Sequence, residues 1–301
     1  MIKIAFSTEY ILTLPPTHTF PIGKYKFLPE KLLKEGIITN ENFFDPGKID
    51  ISILFLTHTK EYVEKVLNLD LSPAEVRKIG FPLSRELVER ELIITQGTIK
   101  CAYYAMENGI SLNIAGGTHH AYADSGSGFC IFNDVAVATN YLLANNPFYK
   151  IMIVDLDVHQ GNGNAKIFEN NSNVFTFSMH GAKNFPLKKE ISNLDIALPD
   201  NTEDDEYLDI LYKNLPKLIA DFVPNIIFYI SGVDILKGDK FGRLAVSIEG
   251  CKKRDDFVFD ICKKNNIPVV AVMGGGYSKD METIVQAHFN TYKSAKETFE
   301  N

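Results

Sequence analysis

The sequence predicts a single-domain α/β protein in which helices cover both faces of a mainly parallel central sheet, giving three layers in the order α/β/α. Short apolar runs alternate regularly with longer amphipathic segments along all 301 residues. Several of these runs are apolar throughout, which is typical of parallel strands buried on both faces. No linker or internal repeat interrupts the alternation, so residues 1–301 are interpreted as one domain.

The individual elements follow from this alternation. Apolar runs bounded by polar, Gly or Pro residues predict strands, at residues 2–6, 51–56, 111–115, 151–154, 174–177, 196–198, 225–230 and 268–273. Amphipathic segments with capping or stop signals predict helices, at residues 26–35, 59–67, 83–108, 133–145, 163–169, 202–220 and 248–265, with a last helix after residue 277. The segment 8–26, rich in Pro, Thr and aromatic residues, is predicted to be a long irregular loop.

The composition is that of a soluble globular protein, with 45% hydrophobic and 23% charged residues. The net charge of −7, from 31 basic and 38 acidic residues, argues against direct nucleic-acid binding through a general basic surface and permits a cationic substrate. The four cysteines form no CxxC pair, and no apolar run approaches the ~20 residues of a membrane span. We therefore expect a cytoplasmic protein with reduced thiols and no membrane association.

The stretch that follows the apolar run 151–154 carries the strongest functional signal. Asp155, Asp157 and His159 come at alternate positions, and burying such groups at a strand end is costly unless a cation binds them. On extended backbone, Asp157 and His159 leave the chain on the same face, as two ligands of one divalent metal ion would. A turn with a buried salt bridge is the alternative interpretation.

Other polar residues follow neighbouring predicted strands, where the carboxyl ends of a parallel sheet form its ligand-binding edge. These residues are His119, His120, Ser178, Asp234 and Tyr277. Asp234 would complete a ligand set of O, N and O type with Asp157 and His159. Three protein ligands leave one coordination position open, as catalytic zinc requires.

The remaining residues of this edge suit the hydrolysis of a carbonyl compound. His119 and His120 are candidates for the general base and the general acid. Asp155 would orient one imidazole and Asn162 the other, and Tyr277 would donate to a developing oxyanion. Three aromatic residues would line an apolar channel, with ordinary core packing as the alternative for each: Phe129, Phe185 and Phe241.

Five motifs carry a family resemblance. They are Gly117-Thr118-His119-His120, Ser127-Gly128-Phe129-Cys130, Asp155-Leu156-Asp157-Val158-His159, Gly232-Val233-Asp234 and Gly274-Gly275-Gly276-Tyr277. In this order they resemble the zinc-dependent histone deacetylases of the arginase/deacetylase superfamily, and the resemblance covers essentially the whole chain. The early His18-Thr19-Phe20-Pro21-Ile22-Gly23-Lys24 and the stretch 157–163 are most similar to the class IV branch and its bacterial relatives.

The resemblance implies two metal ions. One catalytic Zn²⁺ would be bound by Asp157, His159 and Asp234. A structural K⁺ would lie behind the zinc and be held partly through backbone carbonyls. The K⁺ ligands implied by the resemblance are Asp155, Asp157, His159, Ser178 and Met179.

For catalysis, the resemblance makes His120, paired with Asn162, the general base. It pairs His119 with Asp155, and it makes Tyr277 the residue that polarises the substrate carbonyl. Class I enzymes have an aspartate at the position of Asn162. Because a neutral partner stabilises an imidazolium less than a carboxylate does, we expect a lower pKa for His120 than in those enzymes.

Substrate recognition is implied in less detail. The positions expected to border the substrate are Gly128, Phe129, Phe185, Phe241 and Gly275, with Gly128 contacting the substrate amide through its backbone. Residues 72–90 contain no clear counterpart of the acidic residue with which class I enzymes hold the peptide backbone.

The favoured function is hydrolysis of N-acyl-lysine side chains of proteins or peptides, with acetyl or longer acyl groups. One alternative is a deacetylase of acetylated polyamines or other small amines. Another is a catalytically silent acyl-lysine binder, which the phenol of Tyr277 argues against. A ureohydrolase-like enzyme with two manganese ions is less favoured, because the sequence shows no additional Asp and His ligands for a second metal. The oligomeric state is not predicted.

Overall fold

A computed structural model describes residues 1–300 and contains one eight-stranded sheet. The strands are β1 (Lys3–Ala5), β2 (Phe43–Phe44), β3 (Ile110–Asn113), β4 (Ile151–Asp155), β5 (Val174–Gly181), β6 (Leu194–Leu198), β7 (Ile226–Ile230) and β8 (Val269–Val272). They lie in the order β2-β1-β3-β8-β7-β4-β5-β6, and every neighbouring pair is parallel. The carboxyl ends of all these strands therefore form one edge, called the carboxyl edge below.

Helices flank this sheet in two groups. They are α1 (Lys24–Lys34), α2 (Ile51–Leu54), α3 (Lys60–Leu67), α4 (Pro73–Ile79), α5 (Arg85–Asn108), α6 (Asp134–Asn145), α7 (Asn162–Ile167), α8 (Asp204–Phe222), α9 (Ile248–Lys264) and α10 (Met281–Phe299). In one group α5 packs against α6, and in the other α9 packs against α8 and α10. The predicted α/β/α fold with a parallel sheet is confirmed. None of the helices in residues 1–300 has the length and apolar character needed to cross a membrane.

The centre of the sheet is its most deeply buried part. β4 and β7 lie side by side and are buried at every position. A strand that is covered on both faces has no solvated side, so its residues are apolar throughout rather than alternating. Asp155, the last residue of β4, is paired with Ile230 of β7 and Ser178 of β5. It is the first charged group that the buried centre presents to the carboxyl edge.

Local signals in the sequence determine most helix ends. The hydroxyl of Ser84 accepts a hydrogen bond from the Leu87 N–H at the start of α5. Gly109 ends the same helix with a φ of 84°, in the left-handed region that favours glycine. Both ends agree with the helix predicted at residues 83–108.

The strand predicted at residues 51–56 is wrong, because this segment begins with the short helix α2. The carboxylate of Asp50 accepts a hydrogen bond from the Ser52 N–H, and this cap favours a helical turn. The outer strand of the sheet is β2 instead, whose two residues pair with the end of β1. A strand of two residues is too short to leave a periodic signal in the sequence.

Two further elements differ from the sequence-based prediction. β5 continues to Gly181, so Ser178 and Met179 lie within a strand rather than in the loop after it. The helix α4 was not predicted, although it begins with a capping box between Ser72 and Glu75 and has a proline in its first turn.

A buried cation on α9 holds the carboxyl edge from behind. Arg254 is fully buried and forms an ion pair with Asp255, with 2.8 Å between Nη2 and Oδ1. Its guanidinium also donates to the backbone carbonyls of Gly232 at 2.6 Å, Ser231 at 3.3 Å and Leu156 at 3.3 Å. Those carbonyls lie just beyond β7 and β4, so Arg254 fixes the two loops that begin there.

Replacing Arg254 by Met should lower the free energy of unfolding by about 3–5 kcal/mol, because the change leaves the Asp255 carboxylate buried without its cation. Urea denaturation measures this loss. Lys264, an exposed residue of the same helix, is the matched control. Its replacement by Met should change stability by no more than about 0.5 kcal/mol. Equal effects of the two substitutions would contradict the supporting role of Arg254.

Candidate active site

The polar residues singled out in the sequence lie together at the carboxyl edge. They follow four adjacent strands, β3, β8, β7 and β4. His119 and His120 come after β3, Tyr277 after β8, and Asp234 after β7. Asp157 and His159 come after β4. Loops that are far apart in the sequence therefore meet because a parallel sheet aligns its strand ends.

Asp157, His159 and Asp234 form a group that can bind a metal ion. All three are buried, and one donor atom from each lies within 4.8 Å of the others. Nδ1 of His159 is 3.0 Å from Oδ1 of Asp157 and 3.1 Å from Oδ2 of Asp234. Two ligand atoms bound to a tetrahedral zinc ion stand roughly 3.3 Å apart, given bond lengths of about 2.0–2.2 Å. The donor types and their spacing fit a divalent metal.

Backbone groups hold the other oxygen of each carboxylate. The Gly275 N–H donates to Oδ2 of Asp157 at 2.7 Å, and the Val158 N–H donates to Oδ1 of Asp234 at 2.9 Å. This close approach requires glycine, because a Cβ on Gly275 would lie 1.9 Å from Oδ2 of Asp234. The carboxylates are thereby fixed in orientation before any ligand binds. Such fixation is what a metal site needs from its surroundings.

The charges of this group also fit a bound cation. Burial, together with the neighbouring Asp157, raises the pKa of Asp234 to about 7. Burial opposes a charge on His159, but hydrogen bonds to Asp157 and Asp234 outweigh it and raise the pKa of His159 to about 10. The imidazolium thus supplies the positive charge that two buried carboxylates require. A divalent cation would meet the same requirement and leave the imidazole neutral, as a metal ligand must be.

His119 is held in its charged form by Asp155. Nδ1 of His119 lies 2.7 Å from Oδ2 of Asp155. Burial lowers the pKa of His119, but the carboxylates of Asp155 and Asp157 outweigh burial and raise the pKa to about 9. The remaining oxygen of Asp155 accepts from the Asp157 N–H at 3.2 Å. Asp155 therefore orients His119 and also stabilises the backbone of the metal-binding turn.

His120 lies against a neutral partner and stays uncharged. Its Nδ1 is 2.5 Å from Oδ1 of Asn162. The amide of Asn162 donates to the Tyr122 hydroxyl at 2.8 Å, which identifies Oδ1 as the acceptor for His120. Burial, followed by the charges on His119 and His159, holds the pKa of His120 well below its usual value of 6.5. His120 is thus a neutral imidazole with Nδ1 protonated and Nε2 free to accept a proton.

Tyr277 is positioned by a buried carboxylate for which sequence analysis assigned no role. The Tyr277 N–H donates to Oδ2 of Asp239 at 2.6 Å. The other oxygen of Asp239 accepts from the Phe241 and Gly242 N–H groups, both at 2.9 Å. Burial, followed by the charges of Asp234 and Asp157, holds the pKa of the Tyr277 phenol well above 10. The phenol therefore keeps its proton and can donate a hydrogen bond.

Two connected cavities lie beside these groups, and both are lined by His120, His159 and Tyr277. The outer cavity has a volume of about 410 Å³ and opens to solvent. The inner cavity, about 30 Å³, is lined by Asp157 and by the buried Arg90 and Phe20, among others. The shared lining residues place the two cavities next to each other at the metal-binding group, with the smaller one as the inner end of the pocket.

The predicted aromatic residues surround the outer cavity. Phe129, Phe185 and Phe241 all line it, and the Phe185 ring centroid is 4.8 Å from that of His120. The N–H of Gly128 donates to the Lys78 carbonyl at 3.1 Å. The carbonyl of Gly128 accepts a weak hydrogen bond from the Cys130 thiol at 3.4 Å, and its second lone pair can accept from a substrate amide. Gly275 lies deeper, against the two carboxylates.

The residues predicted to bind K⁺ are partly brought together by strand pairing. Asp155 of β4 pairs with Ser178 of β5, and Met179 is the next residue of that strand. The Ser178 hydroxyl lies 2.9 Å from Nδ1 of His180. Strand pairing therefore places Asp155 and Ser178 on adjacent strands, while the K⁺ site itself stays a prediction.

Lys24 and Arg90 also lie close to the site, and sequence analysis assigned neither a role. Lys24 is fully buried and donates to the Gly274 carbonyl at 3.1 Å. Burial lowers its pKa to about 8. Arg90 donates to the Tyr10 carbonyl at 2.9 Å and forms an ion pair with Glu91. Both residues lie on helices. Because lysine and arginine are usually exposed, the sequence around them gives no local signal that these two are buried.

His58 supports the loop that carries His119 and His120. Its Nδ1 lies 3.0 Å from the Tyr122 carbonyl, and its Nε2 accepts from the Asn133 N–H at 3.0 Å. The two contacts require the neutral form, with the proton on Nδ1. Burial lowers the pKa of His58 to about 4.

Comparison with known proteins gives a consistent family assignment. The family model described as "Histone deacetylase domain" matches residues 18–292. An uncharacterised protein of Picosynechococcus is 40% identical, over 98% of this chain and 99% of its own length. Histone deacetylase 2 of Arabidopsis thaliana is 28% identical, over 94% of this chain and 76% of its own length. The acetoin utilization protein AcuC of Staphylococcus aureus is 26% identical, over 87% of this chain and 73% of its own length.

Solved structures share the fold. The crystal structure of an HDAC homologue complexed with SAHA has a TM-score of 0.84 and 23% identity, covering 99% of this chain and 88% of the other. The crystal structure of an HDAC homologue from Aquifex aeolicus has a TM-score of 0.83 and 22% identity, covering 100% of this chain and 88% of the other.

The buried His58 should make the protein less stable as the pH falls. Its pKa is about 4 in the folded protein and 6.5 when unfolded, so the unfolded chain takes up the proton first. The contribution of neutral His58 to the free energy of unfolding is therefore fully present above pH 6.5 and is lost as the pH falls toward 4. Between about pH 7.5 and about pH 5 the loss should be about 2 kcal/mol. Urea denaturation at both pH values, with His58→Gln compared with wild type, measures it. If the stability of His58→Gln depended on pH as strongly as that of wild type, His58 would not be the group responsible.

Proposed function

This chain belongs to the histone deacetylase family of hydrolases that act on amide bonds, and we propose that it is a zinc-dependent enzyme that removes acyl groups from lysine side chains. One observation carries the proposal. The Asp157, His159 and Asp234 ligand set, the neutral imidazole of His120 and the protonated phenol of Tyr277 all meet at one pocket.

Asp157, His159 and Asp234 would hold the zinc ion. Zinc supplies Lewis-acid polarisation of a carbonyl and lowers the pKa of a water molecule. Two carboxylates and one imidazole are hard and intermediate donors of the kind found in catalytic zinc sites.

The two histidines have separate tasks. His120 accepts the proton of the attacking water at Nε2, while Asn162 keeps the proton of Nδ1 in place. His119, charged and bound to Asp155, stabilises negative charge as it develops on the substrate and is the proton donor for the leaving amine. Two imidazoles with ring centroids 4.1 Å apart thus act as a base and an acid, because their partners differ.

Tyr277 acts on the acyl carbonyl. Its phenol donates a hydrogen bond to the oxygen as negative charge develops there. Asp239 contributes by fixing the backbone of Tyr277. A preorganised donor of this kind stabilises the transition state more than the ground state.

The small inner cavity favours a short acyl group. Its volume of about 30 Å³ leaves room for only a few non-hydrogen atoms. An acetyl methyl group fits at this end of the pocket, whereas a long acyl chain would have to displace packed side chains. We therefore propose acetyl-lysine as the substrate, although the class IV resemblance by itself also allows long acyl groups. K⁺ at Asp155 and Ser178 is proposed as a structural ion only.

A turnover panel tests this function. The Zn²⁺-loaded protein should hydrolyse an acetyl-lysine peptide. Its kcat/KM should be about tenfold or more lower for the myristoyl-lysine peptide, because overfilling a packed site costs about 1–3 kcal/mol. The third substrate is an acetylated polyamine. A higher kcat/KM for it than for the acetyl-lysine peptide would support the small-amine alternative.

The same panel needs a metal control. Asp234→Asn should lose both the zinc, measured by elemental analysis, and the turnover. Binding of the acetyl-lysine peptide without any turnover by zinc-loaded wild type would indicate a silent binder. Absence of zinc from active wild-type protein would contradict the mechanism.

Tyr277→Phe should lower kcat by a factor on the order of 10² or more, because the oxyanion loses its donor. Zinc content should not change, since the phenol is not a ligand. Tyr212→Phe, at an exposed position of α8, is the matched control and should leave kcat unchanged. Equal kcat values for both variants would remove the role of Tyr277.

Asn162→Asp should move the acidic limb of the pH–kcat/KM profile to higher pH. A carboxylate beside Nδ1 favours the imidazolium of His120, so its pKa rises. Asn162→Gln keeps a neutral amide but changes the side-chain length. It is therefore the control for an altered shape at this position without an added charge. A profile that stays in place in Asn162→Asp would mean that His120 does not set the acidic limb.

A further inference from the structure

We propose that the mouth of the pocket binds a carboxylate that the substrate carries close to its acylated amine, and that Lys183 and Arg243 are the residues that select it. This inference rests on the proposed function, because it presumes that the pocket takes an acylated amine. It concerns which amines are preferred, and the reaction itself is unchanged.

The two cations line the same cavity as the catalytic groups. Lys183 and Arg243 border the outer cavity of about 410 Å³ together with His120 and Tyr277. Their side chains are 71% and 57% exposed, whereas His120 is buried. A substrate with its acyl group at the buried end therefore presents its other end to these two cations.

One carboxylate neutralises the pair only in part. Asp200 lies 3.3 Å from Lys183 and 3.5 Å from Arg243, and both distances are to its Oδ2 atom. Two positive charges share one negative charge, so this group keeps a net charge of +1. The guanidinium has five N–H donors in a planar fork that matches a carboxylate, and the contact with Asp200 uses only part of them.

The segments that carry the two cations are tied together. The amide of Asn184, next to Lys183, donates to the Phe241 carbonyl at 2.5 Å. The Arg243 carbonyl accepts from the Asn201 N–H at 2.7 Å, which joins it to the segment of Asp200. These contacts hold the backbone at both cations in place, so both side chains start from fixed positions at the mouth.

The sign of this charge is opposite to that of the whole protein. The chain has a net charge of −7, whereas Lys183, Arg243 and Asp200 together carry a charge of +1 at the mouth. The charge at a binding cleft affects its ligand more than the distant net charge does, because exposed charges are screened beyond about 10 Å. A carboxylate is therefore favoured at the mouth, and an acetylated polyamine is disfavoured there.

Two sources of the carboxylate share this chemistry. One is the α-carboxylate of free Nε-acetyl-lysine, and the other is an acidic side chain beside acetyl-lysine in a peptide. The experiment uses one matched pair for each. The first pair is Nε-acetyl-lysine and its α-carboxamide. The second is an acetyl-lysine peptide with a flanking Glu and the same peptide with Gln.

At low salt the carboxylate member of at least one pair should have a kcat/KM about three- to fivefold higher, the upper part of the range expected for exposed ion pairs. The ratio should fall toward one in K183Q, R243Q and the double variant, and it should invert in R243E. R243K, which keeps the charge, should retain part of the preference. Lys213→Gln, at an exposed position of α8, is the control and should keep the wild-type ratio. Added salt should reduce the ratio in wild type.

Calorimetric binding of the same pairs to Tyr277→Phe separates this inference from the proposed function. A carboxylate preference in binding, without hydrolysis by wild type, would support carboxylate binding at the mouth and contradict the proposed enzymatic activity. Hydrolysis with equal kcat/KM within both pairs, or a ratio unchanged in the double variant, would overturn the role of Lys183 and Arg243. Failure of every substrate to bind would overturn both.

Discussion

Two carboxylates buried side by side, Asp157 and Asp234, are the constraint on which the rest of the site depends. An unpaired buried carboxylate is costly, and a second one beside it adds repulsion. The protein offsets this cost with backbone N–H donors from Gly275 and Val158 and with the imidazole of His159. These contacts leave one oxygen of each carboxylate beside the His159 imidazole, where a cation would complete the group.

The same electrostatic constraint gives two neighbouring histidines different charge states. His119 lies beside Asp155 and becomes charged, and its charge then helps to keep His120 neutral. The neutral Asn162 holds the tautomer of His120 without adding a charge that would favour protonation. Adjacent positions in the chain thus hold a charged and a neutral imidazole, because Asp155 ends β4 whereas Asn162 begins α7.

The residues that were predicted from the sequence to lie together, and that the structure brings together, share one property. Asp157, His159 and Asp234 follow runs that are apolar throughout, and such runs predict the central strands of a parallel sheet. The residues that were missed, such as Arg254 and Asp239, act from a helix or a long loop on the backbone of the site. Their contacts depend on how helices pack and loops fold, which leaves no periodic pattern in the chain. The segment 51–56 was assigned wrongly for a related reason, since a short apolar run fits either a strand or a helical turn.

The sequence by itself determined the parallel α/β architecture and the edge of the sheet at which the chemistry lies. It could do so because hydrophobic periodicity and chain order are local properties, and a parallel sheet brings every strand end to the same edge. Only the tertiary structure decided the charge states of the two histidines, the size of the inner cavity and the positive charge at the mouth of the pocket. Each of these depends on distances between groups far apart in the chain, and a net charge of −7 gave no indication that Lys183 and Arg243 would meet beside the catalytic groups.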